Sequence, residues 1–447
     1  MKVTHVGSRV WSRLATSALL AAVSAGGIVC SISPAAFAQE SFLGTAREAT
    51  QKAPASADAA LAYGKALRRA GRENEALTEL RRGQMYAKER NAIEIDWEIA
   101  RTLIAKRDFQ STMNACGAIR KLPNGLAASH ACAAEGHLLW RRGTEALAET
   151  AEVRKLPSVS PDVLYAIDLA EGRSHELASR DAEAEASYRA AIAQAPNRDG
   201  GHVLLGALLQ RTGKDGTAEL RKAVELDPHD PVNLVELGRV LLVAPAHRSE
   251  GIASFEKALA ERPAYVEALR SLTDAYIAAG RLADAKRTAS AVLKAAPNDV
   301  AAHLVSGRVA LAEGRPDDAL KEGDAALKLI PNEASAKLLV ADAYAKKGEI
   351  DLALEAYQKA SGLDPENPAP LVHATYACIQ ASRLTSAKAF GQRAVLDFPT
   401  FSPSWVAQGD ALAADGNPKA ARTAYESAKK AKNADLPSID GKISSLK

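Results

Sequence analysis

Seven prolines, Pro196, Pro228, Pro263, Pro297, Pro331, Pro365 and Pro399, follow one another at steps of 32, 35, 34, 34, 34 and 34 residues. Pro123 and Pro157 are also 34 apart, Gly172 and Gly206 keep the same step, and Gly307 to Gly409 spans 102, three such steps. A period held this long means one supersecondary unit repeated, and such units stack in single file instead of collapsing around one core. The composition agrees, with 47% hydrophobic residues but only 5% aromatic ones. Small aliphatic side chains allow backbones to approach closely, which suits stacked helices and not aromatic-rich sandwiches or barrels. Charged residues at 25% are ordinary for a folded, soluble chain.

Residues 334–367 show what one unit builds. Leu338, Ala341 and Tyr344 recur at helical spacing, Gly348 interrupts, and Ala353, Tyr357 and Ala360 mark a second amphipathic stretch that stops at Pro365. The pattern predicts a helix-turn-helix hairpin. Gly or Ala at the eighth and twentieth places lets the two helices cross about 8 to 10 Å apart. Gly348 is free to take positive φ at the end of the first helix, and Pro365, lacking an N–H, cannot extend the second.

Trp405 with Gly409, then Ala184-Tyr188-Ala191-Pro196, Ala353-Tyr357-Ala360-Pro365 and Ala421-Tyr425-Ala428, resemble parts of the tetratricopeptide repeat, whose template reads W-x2-L-G-x2-Y, A-x3-F and P. Gly251-Phe255-Ala258-Pro263 is similar. Thr273 and Thr375 at the glycine place, and Gly323 and Gly391 at the aromatic place, depart from it. Eleven units are placed, beginning near Ala57, Ile93, Ser129, Tyr165, Asp199, Pro231, Val266, Val300, Ala334, Pro368 and Ser402. The expected organisation is a leader over 1–38, a capping helix over 39–56, the repeat array over 57–432 and a C-terminal cap over 433–447. The resemblance implies an all-α, right-handed superhelical solenoid with the first helices lining an inner groove.

The leader rests on Lys2, Arg9 and Arg13, the uncharged apolar run from Leu14 to Val29, and Ala36-Phe37-Ala38, a small-x-small cleavage pattern. The run is about 16 residues where a spanning helix needs roughly 20. The expectation is therefore a cleaved leader and an exported, periplasmic or extracellular chain, with retention as an anchor as the alternative. Of 57 basic and 54 acidic residues, three basic ones lie in the leader, which leaves 54 against 54. Without a basic surplus to neutralise phosphates, nucleic-acid binding is not expected.

In the family the fifth, ninth and twelfth residues of each unit face the groove. The ninth places read Lys65, Arg101, His137, Arg173, Ala207, Arg239, Asp274, Arg308, Asp342, Tyr376 and Asp410. Solvated helix charges are the plain reading. The sharper one makes Arg239, Asp274, Arg308 and Asp342 an ion-pair ladder, worth about 0.2 to 1 kcal/mol per exposed pair. Lys65, Arg101 and Arg173 are then left for an acidic or carboxylate-bearing peptide. With His137, Trp97 and Trp140, which fall at groove-facing places unless the phase of their units is off by one, they form the candidate peptide-binding set. Asn at successive ninth places, as in chaperone-tail clamps, is absent.

Cys116 and Cys132, late in one unit and early in the next, are either a disulfide worth about 3 kcal/mol in the chain-entropy model or two buried thiols. His130 and His137 are spaced too widely for one metal on a straight helix, so no metal or cofactor is expected. No nucleophile motif, P-loop or dinucleotide fingerprint stands in context. The reading is a non-enzymatic exported scaffold binding a protein or extended peptide segment in its groove, without a small-molecule substrate. The alternatives are a structural subunit of a membrane-associated secretion or polysaccharide-export assembly and, third, a repeat-rich enzyme.

Overall fold

A computed structural model describes residues 34–243, 245–431 and 434–446. The proposed leader falls mostly on residues 1–33, outside the described residues. The chain is an all-α superhelical solenoid, and the described residues form twenty-four α-helices without a strand. Helix α1 (Pro34–Lys52) precedes eleven hairpins. The first six are α2 (Ala57–Arg69) with α3 (Glu73–Tyr86), α4 (Glu89–Ala105) with α5 (Phe109–Ile119), α6 (Gly125–Leu139) with α7 (Gly143–Arg154), α8 (Pro161–Leu177) with α9 (Asp181–Gln194), α10 (Asp199–Arg211) with α11 (Thr217–Leu226), and α12 (Pro231–Val243) with α13 (Arg248–Glu261). The last five are α14 (Val266–Ala278) with α15 (Leu282–Ala295), α16 (Val300–Ala312) with α17 (Pro316–Leu329), α18 (Ala334–Lys347) with α19 (Ile350–Leu363), α20 (Ala369–Gln380) with α21 (Leu384–Asp397), and α22 (Ser402–Ala414) with α23 (Pro418–Lys430). Helix α24 (Leu436–Ser445) covers the end, where Ile439 and Ile443 pack on Ala421, Tyr425 and Ala428.

In several hairpins a glycine of the first helix meets a large side chain of the second. A Cβ at Gly172 would lie 2.3 Å from Tyr188, and one at Gly409 would lie 2.4 Å from Tyr425. Only glycine permits that approach, so the eighth place sets the crossing distance. Thr273 and Thr375, the departures at that place, are fully buried and return their hydroxyls to the carbonyls of Leu269 and Leu371 at 2.7 and 2.8 Å. The apolar interior is a string of clusters, each shared by neighbouring hairpins; one joins Leu234, Phe255, Leu269, Leu272, Val292 and Val305. That is the packing expected when no hairpin can bury its own face.

Ten of the hairpin turns close the same way. Each has one residue of positive φ: Gly71, Gly213, Gly280, Gly314, Gly348 and Gly416, and also Arg107, Arg141, Ser179 and Ser382. The next N–H then reaches back to the helix, as Glu349 does to Tyr344 O at 2.9 Å and Arg383 to Cys378 O at 2.8 Å, the Schellman closure. The sixth hairpin instead turns through a short 3-10 segment, Pro245–His247.

The turns between hairpins share another device. Trp405 Nε1 donates to Pro399 O at 2.8 Å, and His202 and His303, at the same place in their units, set Nε2 3.4 and 3.2 Å from the carbonyls of Pro196 and Pro297. A ring nitrogen therefore braces the turn made by the periodic proline, and His substitutes for Trp in that role.

The boundaries differ in one respect. Helices α4, α6 and α8 begin at Glu89, Gly125 and Pro161, four residues before the Ile93, Ser129 and Tyr165 of the sequence reading. At Ser160 the cause is a side-chain cap on the Val163 N–H followed by proline at the first helical position.

Left-handed backbone costs a non-glycine residue about 1 kcal/mol or more, so Ser382→Gly is expected to raise stability by about that amount in chemical denaturation. Gly172→Leu is expected to lower it by about 1–3 kcal/mol through overpacking against Tyr188.

Candidate binding groove

The inner surface of the N-terminal half is built mainly from first helices. A cavity of about 280 Å³ is lined by Arg68 of α2, Arg101 and Ile104 of α4, Glu135 and Leu138 of α6, Leu169 and Arg173 of α8, and Leu204 of α10. A second, of about 480 Å³, shares Leu138, Arg173 and Leu204 and adds Arg141, Glu176 and Arg211. Five successive hairpins thus converge on adjoining hollows with apolar walls and arginine rims.

Most of the charge there is already neutralised. Lys65 pairs with Glu94 at 2.5 Å, Arg68 with Glu98 at 3.1 Å, and Arg101 with Glu98 at 3.1 Å and Glu135 at 2.8 Å. Burial pushes the Glu98 carboxyl up, but Arg68 and Arg101 outweigh it and hold the pKa below its ordinary value. Arg101 is desolvated too, and the carboxylates of Glu135 and Glu98 reverse that effect and raise its pKa. Lys65 and Arg101 are therefore structural ties between successive first helices, not free cations. Arg173 differs: it is exposed and has no ion pair or hydrogen bond among the described residues. Arg141, in the turn after α6 with φ of 56°, is exposed and lines the second hollow in the same condition. The sequence reading missed it because it lies in a hairpin turn and not at a ninth place.

The aromatic candidates pack inward. Trp97 is 9% exposed, belongs to the cluster around Ala128, Ala131 and Cys132, donates its indole N–H to Glu135 at 3.2 Å and has the Arg101 guanidinium 5.2 Å from its ring. It joins two hairpins and offers no face to a ligand. Trp140 sits edge-on to Phe109 at 4.7 Å, and His137 lies 5.9 Å from the same ring with its Nδ1 buried and unpartnered. Of the six candidate groove residues, only Arg173 is both exposed and uncommitted.

The ion-pair ladder reduces to a single rung. Arg308 grips Asp274 with contacts of 2.9 to 3.1 Å. Arg239 turns to Glu236 on its own helix at 2.5 Å, because a partner one turn away is closer than one a hairpin away. Asp342 accepts from the Tyr357 hydroxyl at 2.7 Å and lies 2.9 Å from His373 Nδ1, so it binds α18 to α19 and α20 instead of meeting Arg308. Asp410 has the same role two units on, taking Tyr425, Tyr376 and Lys442 at 2.7, 3.1 and 2.8 Å.

Cys116 and Cys132 are bonded, with sulfurs 1.97 Å apart, and fasten α5 to α6. Cys378 is a buried free thiol whose pKa burial raises. Among the described residues one trio of carboxylates converges, Asp199, Asp227 and Asp230, with their oxygens within 4.8 Å. Arg69 reaches into it and pairs with Asp227 at 2.7 Å. No helix of the described residues is long and apolar enough to cross a membrane.

Hairpins of this construction, stacked around a groove of first helices, define a helical-repeat solenoid. Residues 248–308 and 334–367 match the tetratricopeptide repeat family. Among solved structures the chain is similar to a tetratricopeptide repeat protein from Parabacteroides merdae, at 14% identity and TM-score 0.42, over 63% of this chain and 98% of that one. It is also similar to yeast Tom70, at 13% identity and TM-score 0.46, over 86% and 94%, and to a thermophilic repeat protein of Thermus thermophilus, at 24% identity and TM-score 0.38, over 41% and 99%. No curated protein matches the sequence.

His373 has its charged form opposed by burial, yet Asp342 raises its pKa. The stability this pair adds is fully present below the unfolded value of about 6.5 and is lost as pH rises through the higher folded value. Denaturation followed across that window should show the loss, and Asp342→Asn should flatten it.

Proposed function

We propose that the chain is an exported interaction scaffold that holds an acidic, carboxylate-bearing segment of a partner protein against its N-terminal first helices. The carrying observation is Arg173, an uncommitted guanidinium on the wall shared by two hollows where Leu138 and Leu204 supply apolar surface and the carboxylates of Glu135 and Glu176 are already paired with Arg101 and Arg211. A planar fork of donors beside apolar walls takes a carboxylate in two hydrogen bonds while the adjoining side chains of the ligand fill the hollow. Arg141 supplies a second positive contact in the larger hollow. The work is binding: the arrangement asks for no cofactor, metal or small-molecule substrate. Tetratricopeptide repeats are consistent with a role in protein–protein interaction.

Two features support export. One is the basic, apolar and small-x-small order of residues 1–38. The other is the Cys116–Cys132 bond, a linkage that persists in oxidising compartments and is rare in reducing ones.

A structural subunit of an envelope assembly is the second reading. It draws on Leu329, Ile330, Leu363 and Leu396, which are 41%, 48%, 41% and 69% exposed at the ends of second helices in three consecutive hairpins. Copurification from native envelopes separates the two, since a membrane machine would favour the outer surface and a soluble partner the groove.

Fluorescence anisotropy with labelled peptides ending in Leu-Glu or Leu-Asp tests the groove. Arg173→Glu is expected to weaken binding about tenfold or more, the loss of a charge-assisted hydrogen bond of about 1.5 kcal/mol. Arg308→Glu, at the intact rung of the C-terminal half, should leave affinity unchanged. Equal affinity in the Arg173 variant would refute the site. In the oxidised protein, thiol titration after denaturation should find Cys378 alone reactive among the three cysteines beyond the leader.

A further inference from the structure

The array meets itself one superhelical turn on. Helix α1 packs against α13, far beyond its sequence neighbours. Arg69, the last residue of α2, reaches Asp227 at 2.7 Å, and Arg262, just after α13, reaches Glu73 at 3.3 Å across 189 positions of sequence. Between these pairs Leu43, Ala66 and Ala70 lie against Pro231 and Glu261 around a space of only about 20 Å³, room for about one water. A Cβ at Gly71 would stand 2.7 Å from Arg262 Nε, so the approach is close as well as charged.

This contact is not a by-product of neighbour-to-neighbour stacking, because it joins the first hairpin to the fifth and sixth. It falls where the period breaks, at the short α11 of 10 residues and the 3-10 turn of the sixth hairpin. Its electrostatics are asymmetric. Asp199, Asp227 and Asp230 crowd together, and Arg69, delivered from the other end of the turn, pairs with Asp227 among them. Inside the closure the smaller hollow is lined from both sides, by Arg68 of the first hairpin and by Leu204 of the fifth.

We propose that the Arg69–Asp227 and Arg262–Glu73 pairs form a latch that closes hairpins one to six into a ring, so that a partner reaches Arg173 by passing a free chain end along the ring axis. The route to Arg173 rests on the groove function proposed above; the latch itself does not. An internal loop of a folded partner must enter a closed ring doubled back on itself, two chains wide, so it gains access less readily than a free end until the latch opens. Both pairs are partly exposed, so salt screens them and opening is within thermal reach. Hairpins seven to eleven lie outside the ring and form a free arm.

The test uses the full chain with its disulfide intact. Arg69→Glu and, separately, Arg262→Glu are examined by hydrogen exchange and small-angle scattering, with circular dichroism to verify retained helix. Amides of α1 and α13 are expected to exchange about tenfold faster, as for a local opening, and the radius of gyration to rise, while α16 to α23 keep their protection. The exchanged pair Arg69→Asp with Asp227→Arg should restore closure. Unchanged exchange and scattering in both reversals would overturn the latch. A linear peptide ending in Leu-Glu and a head-to-tail cyclic peptide carrying the same acidic sequence then probe the route. The parent should bind the linear form more tightly than the cyclic one, and Arg69→Glu should narrow that gap; a cyclic peptide binding the parent as well as the linear one overturns the threading. Binding of neither peptide by either protein refutes the groove reading and the threading with it, and the exchange data still decide the latch.

Discussion

The structure depends on one contact repeated along the chain, the close crossing of two helices over a residue without bulk. At Gly172 and Gly409 the partner is a tyrosine ring and there is no room for a Cβ. That contact fixes the angle at which the second helix leaves, and the periodic proline with its Trp or His brace fixes how the next hairpin starts. Pitch and curvature are sums of these two local geometries. The tyrosines add a polar end to the same contact, since Tyr357 and Tyr425 pass their hydroxyls to Asp342 and Asp410 on the first helices.

Charge in this solenoid serves mainly to register one hairpin on the next. Arg101 with Glu135, Arg308 with Asp274 and Tyr376 with Asp410 are all 34 residues apart, the period itself. Arg308 with Asp274 and Tyr376 with Asp410 occupy equivalent places on adjacent first helices, Glu135 stands two places before the equivalent of Arg101, and all three pairs tie the inner face together. A residue on that face that escapes pairing therefore stands out, and Arg173 is one. A face made of mutually satisfied charges discriminates against anions everywhere except where a donor is left over.

Much of this was legible in the sequence. Period, hairpin, turn glycines and the crossing place all follow from spacing, because each is settled within about 34 residues by backbone sterics and helical periodicity. The turns at Arg107, Arg141, Ser179 and Ser382 were not legible, since nothing in an arginine or serine announces left-handed backbone; the Schellman closure imposes it. The early starts of α4, α6 and α8 were passed over because the unit boundary was carried forward by period, although Ser160-Pro161 is a capping signal that could have corrected it. Trp97 was misplaced for a related reason: the fifth place faces inward along a helix, but a large ring there is covered by the next first helix and held by Glu135.

By itself the sequence determined a line of eleven small-residue hairpins with one repeated crossing. Those interactions are local, and each recurs often enough to be read from its copies. Tertiary structure alone decided which charges remain free, whether the two cysteines meet, and that the first hairpin returns to the fifth and sixth through Arg69 and Arg262. Side-chain pairing depends on distances across a hairpin stack, and closure depends on a small rotation added at every repeat. Neither quantity is contained in any single 34-residue window.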